Sequence, residues 1–244
     1  MGGLGEKGRQ EAEGLLDRAV AACPIDPDAR RYYAETLLQR GASAEALSQL
    51  EEAIRLTPND TLLVIRAGEI CYQMGDYKQA RRWATEAINL APSSADGWAL
   101  SGSIYRAEEN PRRALADFQR ALGYRPEDPD LLAAVAEVYM ALGRPGRALL
   151  HLQNLSETYI SGEVPPIVWA RKADALTALG RYREAATYYR LICEQIQPSA
   201  DGYYRLAQAE LRAGEVKDCH RNGVTSRPAA SSQRATFSSI ATRR

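Results

Sequence analysis

Four prolines that recur with one spacing constrain the fold of this sequence more than any other feature. Successive members are 34 residues apart: Pro24, Pro58, Pro92 and Pro126. Alanines keep the same step in two further series, which are Ala12, Ala46, Ala80, Ala114 and Ala148, and Ala19, Ala53, Ala87 and Ala121. Because several independent positions repeat together, the period indicates stacked structural units that each contact their neighbours.

Residue types within each period predict two helices of about a dozen residues joined by a tight turn. The sequence is 45% apolar and rich in Ala, Leu, Arg and Glu, which favour helices. Alanine at a helix crossing lets two backbones approach closely. Gly75 and Gly143 are expected in the turns, where a left-handed backbone costs little only for glycine. Aspartates after the repeat prolines are expected to cap the next helix: Asp28, Asp96, Asp130 and Asp201.

Residues 95–128 resemble the tetratricopeptide repeat, whose signature places Trp, Leu, Gly, Tyr, Ala, Phe, Ala and Pro at fixed offsets. The matching residues are Trp98, Gly102, Tyr105, Ala114, Phe118, Ala121 and Pro126, and Ser101 replaces the leucine. The resemblance implies an all-α fold of tandem helix–turn–helix repeats stacked in a right-handed superhelical solenoid.

The resemblance extends over residues 6–218 as one repeat array. It divides into a half unit at 6–26, whole units at 27–60, 61–94, 95–128, 129–162 and 166–199, and a partial unit at 200–218. Residues 219–244 contain five Arg, no acid and no helical periodicity, so we expect a disordered, basic, Ser/Arg-rich tail. A native tail, an alternative exon and a shifted reading frame remain open as its origin.

Catalytic chemistry has no recognisable residue pattern in this sequence. The only histidines are His151 and His220, the four cysteines lack metal-ligand or redox spacing, and no glycine-rich phosphate loop is present. We therefore expect a protein that is not an enzyme and that uses neither a metal nor another cofactor.

Nucleic acids and membranes are not expected partners either. Arginine pairs such as Arg81 and Arg82 fall at the start of second helices, which face the convex side of the implied solenoid. The sequence pI of about 6.8 lies below the value above about 9 that is typical of nucleic-acid-binding domains. No stretch of 18 apolar residues and no apolar signal region occur, so we expect a cytoplasmic location.

The resemblance places function in a concave groove lined by the first helices, where family members hold extended or helical segments of protein partners. The equivalent inward-facing positions are Arg31, Glu35, Leu38, Ile65, Glu69, Tyr72, Ser103, Arg106, Glu137, Met140 and Asp174. Acids recur among them about once per unit, at Glu35, Glu69, Glu137 and Asp174. We therefore expect a protein or peptide partner whose bound segment is basic or amphipathic.

Two further interpretations remain open beside that of a protein-interaction scaffold. The chain can be the truncated recognition arm of a larger enzyme or of an assembly or secretion machine. It can also self-associate through its uncapped ends, because the half unit at 6–26 contributes a helix without a first helix to pair with.

Overall fold

A computed structural model describes residues 3–159, 164–195 and 200–221 of the chain. These residues form twelve α-helices and no strand, which confirms the predicted all-α fold. The helices are α1 (Gly3–Ala22), α2 (Pro27–Gln39), α3 (Ser43–Leu56), α4 (Thr61–Gln73), α5 (Tyr77–Leu90), α6 (Ala95–Ala107), α7 (Pro111–Tyr124), α8 (Pro129–Ala141), α9 (Pro145–Glu157), α10 (Pro166–Ala178), α11 (Tyr182–Gln195) and α12 (Ala200–Arg221).

Helices that follow one another in the chain pack as pairs, and the pairs stack in order. The pairs are α2 with α3, α4 with α5, α6 with α7, α8 with α9, and α10 with α11. Each pair contacts the next, which produces the predicted solenoid of tandem helix–turn–helix repeats. Helix α1 packs on α2 and α12 packs on α11, so one further helix continues the array at each end.

The last described helix extends beyond the array limit that the sequence predicts. Helix α12 ends at Arg221, whereas the predicted partial unit ends at residue 218. Residues 222–244, which make up most of the predicted tail, lie outside the described residues.

Four of the five turns between paired helices contain a glycine in the left-handed region. Their φ angles lie between 67° and 83°, at Gly41, Gly75, Gly143 and Gly180. The prediction for Gly75 and Gly143 is therefore confirmed. In the turn between α6 and α7, Glu109 takes this role with a φ of 57°. A residue with a β-carbon is strained in that conformation by about 1–2 kcal/mol.

The helix caps lie earlier than predicted. Asp26 and Asp128 are the N-caps of α2 and α8, and their carboxylates accept hydrogen bonds from the backbone N–H groups of Asp28 and Asp130. The prediction that Asp28, Asp96, Asp130 and Asp201 are the caps is wrong, because all four lie in the first turn of their helices. Proline opens α2 and α8, so the cap has to precede it.

Small residues hold the helices of each pair close together. Alanines of the repeat series are fully buried at Ala46, Ala80, Ala114 and Ala148. A β-carbon added to Gly102 on α6 would lie 2.8 Å from the Phe118 ring on α7, so this crossing requires glycine. Ser101, which replaces the family's leucine, donates a buried hydrogen bond of 2.6 Å to Asp117. That bond compensates for burying the hydroxyl.

Candidate functional site: the inner face of the array

The first helices of the units lie side by side, and we call their shared exposed surface the inner face. It comprises the exposed sides of α2, α4, α6, α8, α10 and α12. Helix α4 contacts α6 directly across the unit boundary. Side-chain ion pairs join α6 to α8, α8 to α10, and α10 to α12. A bound chain running along this face would therefore meet several units in succession.

All eleven residues predicted to bind a partner lie on first helices. They are Arg31, Glu35 and Leu38 on α2, Ile65, Glu69 and Tyr72 on α4, Ser103 and Arg106 on α6, Glu137 and Met140 on α8, and Asp174 on α10. Ile65 is only 6% exposed and belongs to a core cluster with Val64 and Leu50, so it offers a partner little surface. The other ten are half-buried or exposed.

Acids of the amino-terminal half of the inner face bind arginines of their own helix. On α2, Arg31 lies 3.8 Å from Glu35 and 3.4 Å from Asp28. On α4, Arg66 donates to Glu69 at 2.8 Å. Pairs with this spacing contribute about 0.3–0.5 kcal/mol on an exposed helix surface. Each helix in this half therefore neutralises its own acid.

Acids of the carboxyl-terminal half bind arginines of neighbouring units. Glu137 on α8 bonds through one carboxylate oxygen to Arg106 on α6 and through the other to Arg171 on α10. Asp174 on α10 lies 3.0 Å from Arg205 on α12. These contacts cross three unit boundaries in two groups, Arg106–Glu137–Arg171 and Asp174–Arg205, and Arg171 and Asp174 lie three residues apart on α10. We call the two groups together the polar chain.

A tyrosine from a second helix completes this chain. The hydroxyl of Tyr189 on α11 donates a hydrogen bond of 2.7 Å to Oδ1 of Asp174. The ring is 5% exposed. Burial raises the pKa of Tyr189, and the hydrogen bond to Asp174 raises it further because the ionised phenol could not donate. Tyr189 therefore holds Asp174 in place from beneath the inner face.

A pocket of about 220 Å³ lies on the inner face between α8 and α10. Its lining consists of Ala136, Glu137, Met140, Leu152, Arg171 and Asp174. Ala136 and Leu152 are buried, whereas the side chains of Glu137, Arg171 and Asp174 are 34%, 32% and 44% exposed. Ala136 and Leu152 thus form the floor of the pocket with almost no accessible surface of their own, and charged side chains form its rim.

The structure brings the predicted residues Glu137, Met140 and Asp174 together at one pocket, and two of the three arginines that bind these acids were not predicted. Arg171 and Arg205 were not among the predicted partner-binding residues. A signal for Arg171 was present, because it precedes Asp174 by three residues as Arg66 precedes Glu69. That spacing identifies a candidate pair on one helix, but it carries no information about the neighbouring helix that Arg171 contacts.

Arginines of the second helices are partly held by contacts on the outer side of the array. Arg81 at the start of α5 bonds to Glu108. The guanidinium groups of Arg81 and Arg113 also lie 5.5 Å and 5.6 Å from the centroid of the Tyr105 ring. These aromatic and ionic contacts give the two arginines structural partners within the protein.

Within residues 3–159, 164–195 and 200–221, no helix is long and apolar enough to cross a membrane. The same residues contain no group of three His, Cys, Asp or Glu side chains placed to hold a metal ion. His151 on α9 stacks on Tyr139 with ring centroids 5.4 Å apart. Burial and then the charge of Arg147 lower the pKa of its imidazole, so a neutral packed ring is favoured.

Solved structures with the same fold include several repeat proteins. The Cut9–Hcn1 hetero-tetramer of the APC/C matches with a TM-score of 0.67 and 16% identity, over 84% of this chain and 40% of that chain. YrrB, a TPR protein with an unusual peptide-binding site, matches with a TM-score of 0.59 and 18% identity, over 82% and 97% of the two chains. The TPR protein TTC0263 of Thermus thermophilus matches with a TM-score of 0.56 and 20% identity, over 76% of this chain and 100% of that chain. These identities show a shared fold alone.

Two family models described as tetratricopeptide repeat match the chain. One matches residues 37–104 and 105–159, and the other matches residues 7–61, 136–201 and 170–218. No curated protein matches the sequence closely enough to serve as a relative. The model matches together span the helices of the array from α1 to α12. The chain therefore belongs to the tetratricopeptide repeat family, whose members are generally non-catalytic scaffolds that bind protein partners.

Proposed function

We propose that this protein is an interaction scaffold whose inner face binds a segment of a protein partner. The observation that carries the proposal is the polar chain from Arg106 to Arg205, which spans four successive first helices and remains partly exposed. A surface that presents charged groups at regular steps along a solenoid suits an elongated ligand. YrrB, which shares the fold, has a peptide-binding site, and this supports a peptide segment as the kind of ligand.

Of the basic and amphipathic segments predicted from the sequence, the ion pairs favour an amphipathic one. Each of the four acids already has an arginine partner, so a purely cationic ligand would have to displace those arginines. Exposed ion pairs contribute only about 0–1 kcal/mol each, so apolar contacts have to supply most of the affinity. Leu38, Tyr72 and Met140 provide partly exposed apolar surface for them.

An affinity capture with the full chain tests this function. The inner variant carries Glu35, Glu69, Glu137 and Asp174 changed to Lys. The matched outer variant carries Glu45, Glu52, Glu86 and Glu184 of the second helices changed to Lys, which gives the same change in net charge. Three of these outer acids are also paired with arginines, as the inner ones are.

The proposal expects proteins captured by the unmodified chain and the outer variant to be absent from the inner variant. Circular dichroism has to show equal helix content in all three proteins. Capture of the same proteins by the inner and outer variants would contradict the proposal and would direct attention to the outer side of the array.

Self-association is a second candidate, because apolar side chains are exposed at both ends of the described array. Leu15 on α1 is 64% exposed and Leu211 on α12 is 66% exposed. Light scattering over a range of concentrations would detect dimers. We expect Leu211→Glu to abolish them if the ends pair, whereas Leu150→Glu, at a position 56% exposed on α9, should have no effect. A monomer at all concentrations would exclude this candidate.

The chain can serve as a scaffold alone or as the recognition arm of a larger assembly, since it spans 40% of the length of the chain that it matches in the Cut9–Hcn1 hetero-tetramer. The same capture experiment addresses both cases, because the co-purified proteins would include the rest of the assembly. A cytoplasmic location stays a prediction from the sequence.

A further inference from the structure

We infer that the edge of the array formed by the starts of α5, α7 and α9 binds an acidic segment of a protein partner. This edge lies where the turns within units are stacked, away from the polar chain of the inner face. It therefore adds a second binding surface to the proposed function. We call it the basic edge, and its residues are Lys78, Arg82, Arg112, Arg113, Arg144 and Arg147.

The two edges of the central units carry opposite charge. Residues 74–82, 108–116 and 142–150, which include the turns within units, contain seven cations and three acids. Residues 57–65, 91–99 and 125–133, which include the turns between units, contain five acids and one cation. Turns of one kind share an edge because successive units stack in the same orientation. Positive charge is thus concentrated along one edge of a chain that has no net charge.

Contacts across a unit boundary bring the cations of α5 and α7 together. Arg81 at the start of α5 bonds to Glu108 in the turn of the next unit. The guanidinium groups of Arg81 and Arg113 lie beside the same Tyr105 ring, 5.5 Å and 5.6 Å from its centroid. The structure therefore places like charges of two units side by side.

The 34-residue period continues this row of cations from α5 to α9. One step leads from Lys78 to Arg112, and one step leads from Arg113 to Arg147. Arg144, the N-cap residue of α9, adds a further cation beside Arg147. A segment bound along the basic edge would therefore meet cations in three successive units.

Four cations of the basic edge are available to a ligand. Lys78, Arg82, Arg112 and Arg147 are exposed, and none of them forms an ion pair with an acid of the described residues. Lys78 and Arg82, one turn apart on α5, line a surface depression of about 590 Å³. Carboxylates form strong, charge-assisted hydrogen bonds with ammonium and guanidinium groups. The available cations thus match a ligand rich in Asp or Glu.

Cations at these positions oppose the stability of their own helices. A helix N-terminus carries partial positive charge, so an acid in the first turn stabilises the helix and a cation destabilises it. Helices α2, α6 and α8 follow this preference and have an acid in the first turn. Helices α5, α7 and α9 have none. The cations in their first turns are Lys78, Arg112, Arg113 and Arg147.

Three successive units therefore depart from the helix-dipole preference in the same way. Departures from a local stability rule are expected at functional sites, where a residue is retained for binding rather than for the fold. The opposite edge provides the contrast within one protein, because its acids agree with the preference. This contrast favours binding as the role of the basic edge.

A second copy of the chain and a nucleic acid fit the basic edge less well than an acidic protein segment. The carboxylates of the opposite edge are largely engaged, since Asp60 and Asp128 cap α4 and α8, and Asp96 bonds to Arg125. Nucleic-acid-binding domains typically have a pI above about 9, whereas the sequence pI is about 6.8. An acidic segment supplies free carboxylates at successive residues and avoids both difficulties.

Binding of a fluorescent oligoglutamate peptide of about ten residues to the full chain tests the inference. The edge variant changes four cations to Gln, which are Lys78, Arg82, Arg112 and Arg147. The matched control variant changes four exposed arginines outside the basic edge to Gln, which are Arg18, Arg55, Arg190 and Arg212. Both variants lose the same positive charge, so they differ in where it is lost.

The edge variant should lose affinity for the peptide by at least about tenfold, and the control variant by less than about twofold. Raising NaCl from about 50 mM to about 0.5 M should also weaken binding to the unmodified chain about tenfold, because exposed charges are screened. The urea midpoint of the edge variant should rise, since its first turns no longer oppose the helix dipoles. Weaker binding by a more stable protein would separate a ligand contact from a loss of structure.

Four results would overturn the inference. Equal loss of affinity in both variants would show a general attraction to positive charge. Tighter binding of oligothymidylate or of phosphatidylserine vesicles through the same residues would assign the edge to a nucleic acid or a membrane. A dimer in light scattering that the edge variant abolishes would assign it to a second copy. A lower urea midpoint for the edge variant would show that these cations serve the fold. None of these results bears on the inner face, which the capture experiment tests separately.

Discussion

Two helices of the inner face, α4 and α10, carry an arginine three residues before an acid. The arginine and the acid contact each other on α4, but they contact other helices on α10. On α4, Arg66 bonds to Glu69 within the helix at 2.8 Å. On α10, Arg171 bonds to Glu137 of the preceding unit, and Asp174 lies 3.0 Å from Arg205 of the following one. Identical spacing therefore produces a local contact in one region and contacts across unit boundaries in the other.

The composition of the neighbouring helices accounts for the difference. Helix α8 contains no basic residue, so Glu137 has no partner on its own helix and is available to Arg106 and Arg171. Helix α2 supplies Arg31 to its own acid, so Glu35 already has a partner on its own helix. An aspartate is also one methylene shorter than a glutamate and reaches a preceding turn less easily. On the inner face of the described residues, ion pairs thus couple the units in the carboxyl-terminal half but not in the amino-terminal half.

The largest expected effect on stability comes from removing the Tyr189 hydroxyl, which donates a hydrogen bond to Asp174. Tyr189→Phe removes a hydrogen bond to a carboxylate and should lower the free energy of unfolding by about 1.5 kcal/mol. The control is Tyr188→Phe, since the Tyr188 ring packs under the Lys172 ammonium at 5.6 Å and keeps that contact without its hydroxyl. Urea unfolding of both variants measures the difference. Equal losses would show that the hydrogen bond to Asp174 contributes nothing specific.

Removing the acid that bridges two units should have the next largest effect. Glu137→Ala leaves Arg106 and Arg171 without their shared partner and should cost about 1 kcal/mol, whereas Glu69→Ala breaks one local pair and should cost about 0.3 kcal/mol. Urea midpoints of the two variants provide the test. A loss for Glu69→Ala as large as that for Glu137→Ala would remove the distinction between the two halves.

Alkaline pH should diminish the contribution of Tyr189. Its pKa is raised in the folded protein above the ordinary value of 10.0. The stabilisation is therefore fully present below pH 10 and is lost as the pH rises toward the folded-state pKa, because the unfolded chain releases its proton first. The difference in stability between the unmodified protein and Tyr189→Phe should shrink above pH 10. A difference that stays constant to higher pH would contradict this contact.

Salt should produce the smallest effect. The paired groups on the inner face are about one-third to one-half exposed, so about 1 M NaCl, with a Debye length of about 3 Å, should screen them strongly. The difference between Glu137→Ala and Glu69→Ala should then fall to a few tenths of a kcal/mol. Persistence of the full difference in high salt would indicate that packing, rather than charge, separates the two variants.

The periodic features of the fold were predictable from the sequence because each depends on one residue type at a fixed step. The buried alanines and the glycine turns at Gly75 and Gly143 follow directly from the 34-residue period. The turn at Glu109 was not predicted, since the repeat there lacks the glycine that normally reveals a left-handed residue. The caps were misplaced by the assumption that the helices begin after Asp28 and Asp130 rather than at the preceding prolines.

The composition of the inner face was only partly predictable for a related reason. Helical offsets identify which residues face inward, and they placed Glu137, Met140 and Asp174 on one surface. Offsets do not give the distance to the next helix, so the burial of Ile65 and the contact from Arg171 to Glu137 required the structure. Contacts between units depend on the sequences of two helices at once.

Binding of a partner segment to the carboxyl-terminal inner face can be observed directly through the methionine methyl groups. The chain contains three methionines, of which Met140 lines the pocket and Met74 is the exposed C-cap residue of α4. An NMR titration separates the two sites, using protein labelled with ¹³C at the methionine methyl groups and a peptide taken from a partner that the capture experiment identifies. We expect the Met140 resonance to shift and the Met74 resonance to remain in place. A bound peptide that shifts Met74 and leaves Met140 unchanged would contradict the assignment of this face.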